Sequence, residues 1–378
     1  MTDIQQHAAG EAGLNPSVSG AAGSTKKTGT GGTGANPVSI RNIGHVSFNT
    51  KNMPEMLHFY CEILGMRKLF TLTYGDLWDR MKESYGDSFS EKAPDWVKDM
   101  GARKDEPWIQ YLKLADRQYL ELFYDDGREK EDWLKRRDSG GYIEVEYEVA
   151  DLDALQSWLL AHQVIPLMDI YTTSEGALAL AVEDPDGNRL QFIQYLPEAL
   201  TRLGMPALSP EVPGEGPLRY TTKVSYQVRN KKEMKRFYEE GLGLKNVLIL
   251  SYESLLKIVE EDGEVDMDSE MVLKIKAKKD LPWVDYLEVA PHQYLALFDS
   301  GGGAAKDAED LSRYYGYQHL CLEVSDIHKA WEAVVAGGLT PEGPISQGAD
   351  GSWQFWLVDP DGNRLELMGY GPDSKQLL

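Results

Sequence analysis

Cysteine is nearly absent from this chain, with only Cys61 and Cys321 in 378 residues. Such scarcity excludes a disulfide framework, fits a reducing compartment, and lets both thiols be read as small core residues. Also missing is any apolar run of roughly 18 residues, the length a membrane-spanning helix needs. The N-terminus mixes Asp3 and Glu11 with Gly, Ala and Gln and offers no continuous apolar segment of the kind a secretory signal carries. Basic residues are in deficit, 39 Lys plus Arg against 61 Asp plus Glu, and the net charge of −22 repels phosphate backbones and anionic bilayers. These absences argue against nucleic acid and membrane partners and predict a cytoplasmic location.

What remains is enough for a sizeable core. With 42% hydrophobic and 26% charged residues, the composition suits two ordinary domains behind a tail. Residues 1–37 are rich in Gly, Ser, Thr and Ala and have too little apolar surface to offset the entropy of ordering, which predicts a flexible tail. In 205–217, MPALSPEVPGEGP, four prolines and two glycines interrupt any helix or interior strand. That segment reads as a linker between domains at 38–204 and 218–372.

The two halves are repeats of one another. PWIQYLKLADRQYLELF at 107–123 matches PWVDYLEVAPHQYLALF at 282–298, and VEDPDGNRLQF at 182–192 matches VDPDGNRLELM at 358–368. The offsets 283 − 108 and 359 − 184 both equal 175, so the intervening segments align without a net gap. Within each half a finer repeat occurs: HVSFNT and IEVEYEV, then KVSYQV and HLCLEV, each precede an amphipathic helical pattern and further strands. Met56, Phe59, Tyr60, Ile63 and Leu64 recur at helical spacing, whereas Val46 and Phe48 alternate with His45, Ser47 and Asn49 as in a strand. The pattern predicts an α+β fold of four βαβββ modules. Polar, partly helical inserts at about 75–106 and 252–281 in the first and third modules are placed to cover a site as lids.

GHVSFNTKNMPEMLHFYCEILGM, YLELF, GYQHLCLEVSDI and DPDGNRLELM resemble the vicinal oxygen chelate superfamily (glyoxalase, bleomycin resistance protein and extradiol dioxygenase) over about residues 40–370. The resemblance implies paired modules that form two cup-shaped, curved mixed β-sheets with helices outside. It also implies that each module offers one metal-ligand position on its first strand and one on its last. Those positions are His45, Glu144, Lys223 and His319 on first strands, and Glu121, Gln191, Ala296 and Glu366 on last strands. The alignment holds because 319 − 144, 366 − 191 and 296 − 121 all equal 175.

Ligand-type residues are concentrated in modules one and four. Relatives of the glyoxalase type exchange modules across a two-fold axis, which in a fused chain becomes one-with-four and two-with-three. That pairing brings His45, Glu121, His319 and Glu366 together as ligands of one divalent metal ion. The mixed nitrogen and oxygen set suits Ni, Co, Zn, Mn or Fe. In the other cup Lys223 is expected beside Glu144, where an ion would otherwise stand. The resemblance further implies a small-molecule substrate with vicinal oxygens on the metal, and Glu366 or Glu121 as the catalytic proton carrier of a glyoxalase-type isomerase, epimerase or lyase. An extradiol-type Fe(II) dioxygenase and a non-catalytic small-molecule-binding protein are the alternatives. The sequence leaves the oligomeric state open.

Where glyoxalase I proper carries Arg and Asn four residues after its ligands, this chain has Asn49 and Asp125, which argues against a glutathione adduct as substrate. Taken alone, His45 would read as a structural strand histidine and Glu121 as a polar residue on a solvent-facing edge. The agreement of four repeat positions favours the ligand reading. The DPDGN segments read as hairpin turns without chemistry. His7, His58, His162, His292 and His328 read as surface or packing residues, and Trp78, Trp96 and Trp353 as packing residues outside the site.

Overall fold

The computed structural model describes residues 36–93, 95–124, 129–132, 140–201, 216–262, 265–300 and 311–377. The segments expected to be a tail and a linker fall almost wholly outside the described residues, as does Asp125. Among the described residues, no helix is long and apolar enough to cross a membrane.

Among the described residues, sixteen strands form two eight-stranded mixed sheets. In the first, the order is β14 (Ser346–Gln347), β15 (Trp353–Val358), β16 (Arg364–Gly369), β13 (Gly316–Val324), β1 (Ile40–Asn49), β4 (Gln118–Phe123), β3 (Pro107–Ala115) and β2 (Arg67–Thr73). The second runs β10 (Lys245–Ser251), β11 (Pro282–Ala290), β12 (Gln293–Asp299), β9 (Leu218–Val228), β5 (Gly141–Val149), β8 (Arg189–Gln194), β7 (Leu178–Glu183) and β6 (Tyr171–Thr172). Antiparallel β1–β13 pairing therefore joins module one to module four, and β5–β9 joins module two to module three. Each sheet curls into a cup, the architecture that the sequence predicts.

A helix follows the first strand of every module. In modules one and three an α-helical turn, Met53–Leu57 or Lys231–Lys235, continues as a π-helical segment, His58–Ile63 or Arg236–Gly241. The wider winding rotates the apolar stripe so that Phe59 and Tyr60, and likewise Phe237 and Tyr238, are buried together. Modules two and four use Leu152–Ala161 and Ile327–Ala336, started by Asp151 and Asp326, whose carboxylates accept from the first free backbone N–H groups. Gly65 ends the first helix at φ +77°, and a Cβ there would meet the Cα of Gly216 at 2.4 Å, so the close approach requires glycine.

One continuous apolar core runs through the helices and the facing sides of both sheets, including Phe48, Tyr60, Tyr142, Phe192, Tyr238, Tyr317 and Phe355. Tyr142 and Tyr317 stack at 4.5 Å between the two sheets. The DPDGN segments are the tight β7–β8 and β15–β16 turns, with Gly187 at φ +81° and Gly362 at φ +87°. They also anchor the helices, because Tyr60 donates to Asp184 at 2.9 Å and Tyr238 to Asp359 at 3.0 Å. Burying these hydroxyls without such acceptors would be costly.

Candidate metal centre

Strand register explains how residues far apart in sequence meet. Across the first sheet His45 lies opposite Cys321, which lies opposite Glu366, while Ser47 lies between His319 and Glu121. These are two cross-strand rows one pleat apart, and alternation along each strand directs both rows to the same concave face. The rows are exchanged by the internal pseudo-symmetry, which relates His45 to His319, Glu121 to Glu366 and Ser47 to Cys321.

All four expected ligands converge and are buried, with 2–5% of their surface exposed. His45 Nε2 lies 3.1 Å from His319 Nε2, 3.3 Å from Glu121 Oε2 and 3.0 Å from Glu366 Oε2. His319 Nε2 is 3.4 Å and 3.5 Å from the same two carboxylate oxygens. Ligand atoms about 2.1 Å from a first-row ion are separated by about 3.0 Å at right angles and about 3.4 Å at tetrahedral angles. The imidazole–imidazole and imidazole–carboxylate spacings match that range. Two imidazoles facing each other nitrogen to nitrogen cannot both be satisfied as neutral acceptors, whereas a divalent cation satisfies all four groups at once. The donor set therefore fits a metal ion.

Electrostatics agree. Burial pulls the His45 imidazole toward neutrality, but Glu121 and Glu366 outweigh it and raise its pKa. Burial opposes ionisation of Glu121 and Glu366 too; the two imidazoles prevail and hold both below the usual carboxylate value, Glu366 far below. Ser47 donates to Glu121 Oε2 at 2.6 Å and stands 2.9 Å from His319 Nε2, so it orients one carboxylate and one imidazole of the cluster. On the opposite row its counterpart is Cys321, whose thiol is pushed well up by burial and the nearby carboxylates.

A cavity of about 670 Å³ opens from the convergence point. Trp108, Phe123 and Trp356 form apolar walls, and the Trp356 ring meets His319 edge-on at 4.8 Å. The first insert contributes a wall through its helix Tyr74–Tyr85, started by a Thr73–Asp76 capping box, and Arg80 of that helix reaches Gln347 Oε1 at 3.0 Å across the cavity. Trp353, read from sequence as outside the site, lies on the cavity wall. Asp350, on the preceding loop, also lines the cavity. Neither Ser47 nor Trp356 was identified from sequence. The signal for Ser47 was available, since it shares the strand face of His45 two residues earlier. Trp78 packs against Phe89 within the insert, as expected of a packing residue.

The second cup differs. Glu144, Gln191 and Lys223 face inward, but the space beside them is only about 40 Å³. Lys223 makes its ion pair with Glu146 at 2.6 Å and reaches Glu175 at 3.6 Å, with Gln191 at 3.5 Å. The expected Lys223–Glu144 pair is thus replaced by Lys223–Glu146. Lys223 lies opposite Glu146 in the same register that puts His45 opposite Cys321 in the first sheet, 321 − 146 being again 175, so a carboxylate stands where module four has a thiol. Glu144 turns toward Arg189 at 3.8 Å.

The glyoxalase/bleomycin resistance protein/dioxygenase superfamily model matches residues 42–192 and again 221–367. Among solved structures, a glyoxalase I mutant from Zea mays superposes with a TM-score of 0.55 at 17% identity, covering 90% of this chain and 96% of that one. A putative dioxygenase from Bacillus subtilis gives 0.54 at 11% identity, covering 88% and 86%. At these identities the likeness concerns the fold. Comparison with curated proteins found no match.

Proposed function

Because this chain belongs to the glyoxalase/bleomycin resistance protein/dioxygenase superfamily, we propose that it is a metal-dependent isomerase, epimerase or lyase. Its substrate would be a small molecule with vicinal oxygens, and its reaction a proton transfer. The observation that carries this reading is that the His45 and His319 imidazoles face each other at 3.1 Å and each lies 3.0–3.5 Å from both Glu121 and Glu366, at the end of a cavity of about 670 Å³. When bound there, one divalent ion would supply Lewis-acid stabilisation of negative charge on the chelated oxygens, of several kcal/mol.

The chain's own residues divide the remaining work. Both imidazoles and Glu121 hold fixed positions, Glu121 being tied by the Ser47 hydroxyl. Glu366 faces the weaker thiol donor Cys321 instead, so it is the freer of the two carboxylates to leave its position and take a proton at Oε2. Its acidity comes from the two imidazoles, and on moving away from them it becomes more basic. Trp108, Phe123 and Trp356 line the cavity with apolar surface beside that carboxylate. Four protein ligands leave an ion fewer open positions than the two-histidine, one-carboxylate set of oxygen-activating sites, which favours proton transfer over oxygenation. The two free cysteines and the acidic charge fit the cytoplasm as the place of action.

The test is metal-loaded enzyme assayed against hydroxycarbonyl and sugar-like substrates, with an oxygen electrode in parallel. Proton exchange or isomerisation without oxygen uptake is expected. Fe(II)-dependent oxygen consumption with a catechol would replace this reading by a dioxygenase. Tight ligand binding with no turnover of any substrate would replace it by a binding protein.

A further inference from the structure

We propose that Asp350 determines substrate specificity in this cavity, accepting a hydrogen bond from a hydroxyl group carried next to the substrate's chelating oxygens. The inference rests on the metal-centre reading above and extends it to a substrate class: hydroxylated chelators, in preference to those with a methyl group or a second anion at that place.

Asp350 sits in the loop between β14 and β15, only 4% exposed, on the same cavity wall as Glu121, His319 and Glu366. Its charge is felt at His45 and Tyr111. Yet among the described residues no ion pair joins it to His45 or His319, so it stands back from the ligand cluster.

The second cup shows where this position aims. The offset 350 − 175 is again 175, making Glu175 the counterpart of Asp350. Gly176 and Gly351, which follow them, share φ +86°. Leu200 N donates to the Glu175 carbonyl and Lys375 N to the Asp350 carbonyl, both at 2.8 Å, and these donors are also 375 − 200 = 175 residues apart. On this shared backbone Glu175 extends to within 3.6 Å of the Lys223 ammonium, whose strand position corresponds to that of His45. Asp350 is shorter by one methylene, about 1.5 Å of reach. Its carboxylate is therefore directed at the metal centre but stops short, with cavity space between the two that a substrate can occupy.

The carboxylate is held in place. Gln376 Nε2 donates to Oδ2, and Ser352 N donates to Oδ1 at 3.3 Å. Gly348 packs so closely that a Cβ there would meet Oδ1 at 2.4 Å. A carboxylate oxygen can accept more than one hydrogen bond, so acceptor capacity remains for a ligand. Burial pushes the Asp350 pKa up, against the hydrogen bonds from Gln376 and Ser352. A fixed, half-satisfied and buried acceptor rejects an analogue that brings no donor.

The experiment compares two chelators that differ by one hydroxyl, glycolohydroxamate and acetohydroxamate, binding to the full-length, metal-loaded protein. Metal content is measured alongside. The wild type should favour glycolohydroxamate by about tenfold or more, as expected for a hydrogen bond to a charged group. Asp350→Asn should abolish that ratio while keeping the metal and the acetohydroxamate affinity. Asp350→Glu, which restores the reach of Glu175, should keep the metal but weaken both chelators by at least tenfold. If metal and both hydroxamates bind with equal affinity in the wild type, or if the preference survives in Asp350→Asn, the role of Asp350 is refuted and the metal centre stands. A lowered melting temperature in Asp350→Asn with an unchanged ratio would likewise reduce it to a structural residue. Absence of metal from the wild type overturns the centre, and the specificity proposal with it.

Discussion

Replacing Lys223 with Met should destabilise the protein in a pH-dependent way. The ammonium is buried at 3% exposure among three carboxylates, Glu144, Glu146 and Glu175, which are themselves 0–3% exposed. It pairs with Glu146 at 2.6 Å and with Glu175 at 3.6 Å, whereas Arg189 remains near Glu144 at 3.8 Å. Methionine keeps most of the volume, so the loss is mainly electrostatic. Breaking a buried pair and leaving its partner uncompensated costs about 3–5 kcal/mol. Even in the wild type, burial raises Glu144 and Glu175 above the ordinary carboxylate value, against the pull of nearby cations. Removing Lys223 raises them further. A folded-state pKa above the unfolded one stabilises at low pH, and that contribution is lost as pH rises through the folded value. Lys223→Met should therefore lose most stability at neutral pH and recover toward the carboxylate range. Urea titrations at several pH values measure this. Adding Glu146→Gln should restore at least half of the loss at neutral pH. A loss below about 1 kcal/mol, or one that grows on acidification, would refute the view that Lys223 is the internal cation of this cup.

Other predictions concern positioning. Ser47→Ala removes the donor that orients Glu121 and should weaken metal affinity about 10–100-fold with little change in the apo fold, checked by competition with a chelating dye. Tyr60→Phe leaves Asp184 with one donor fewer and should cost about 1–3 kcal/mol, with Tyr238→Phe costing a similar amount at Asp359; both are read by chemical denaturation.

Much of this architecture is legible in the sequence because it is written several times. The 175-residue offset aligns turns and three of the four pairs of ligand positions without a structure, and the fourth pair, His45 and Lys223, follows at 223 − 45 = 178. Residue types at those positions then point to the one-with-four pairing seen between β1 and β13. What escaped was information carried by cross-strand register and by loops. The Lys223–Glu146 pairing depends on the antiparallel register of β5 and β9, which sets Lys223 opposite Glu146 and not Glu144 and which strand alternation alone does not give. Asp350 lies in a loop, where no periodicity says which way a side chain points. Trp356 was hidden for a different reason: aromatic residues in strands are as suitable for a core as for a cavity wall, and only the curl of the sheet distinguishes them.

The central claim is a single metal centre assembled across the two halves of the chain, and metal analysis of purified protein tests it most directly. Wild-type protein reconstituted with a divalent first-row ion should hold one ion per chain after desalting. His45→Ala and Glu366→Gln, one ligand from each half, should each hold none while keeping the wild-type circular dichroism spectrum. Two ions per chain, or full retention of the ion in either variant, would contradict the account.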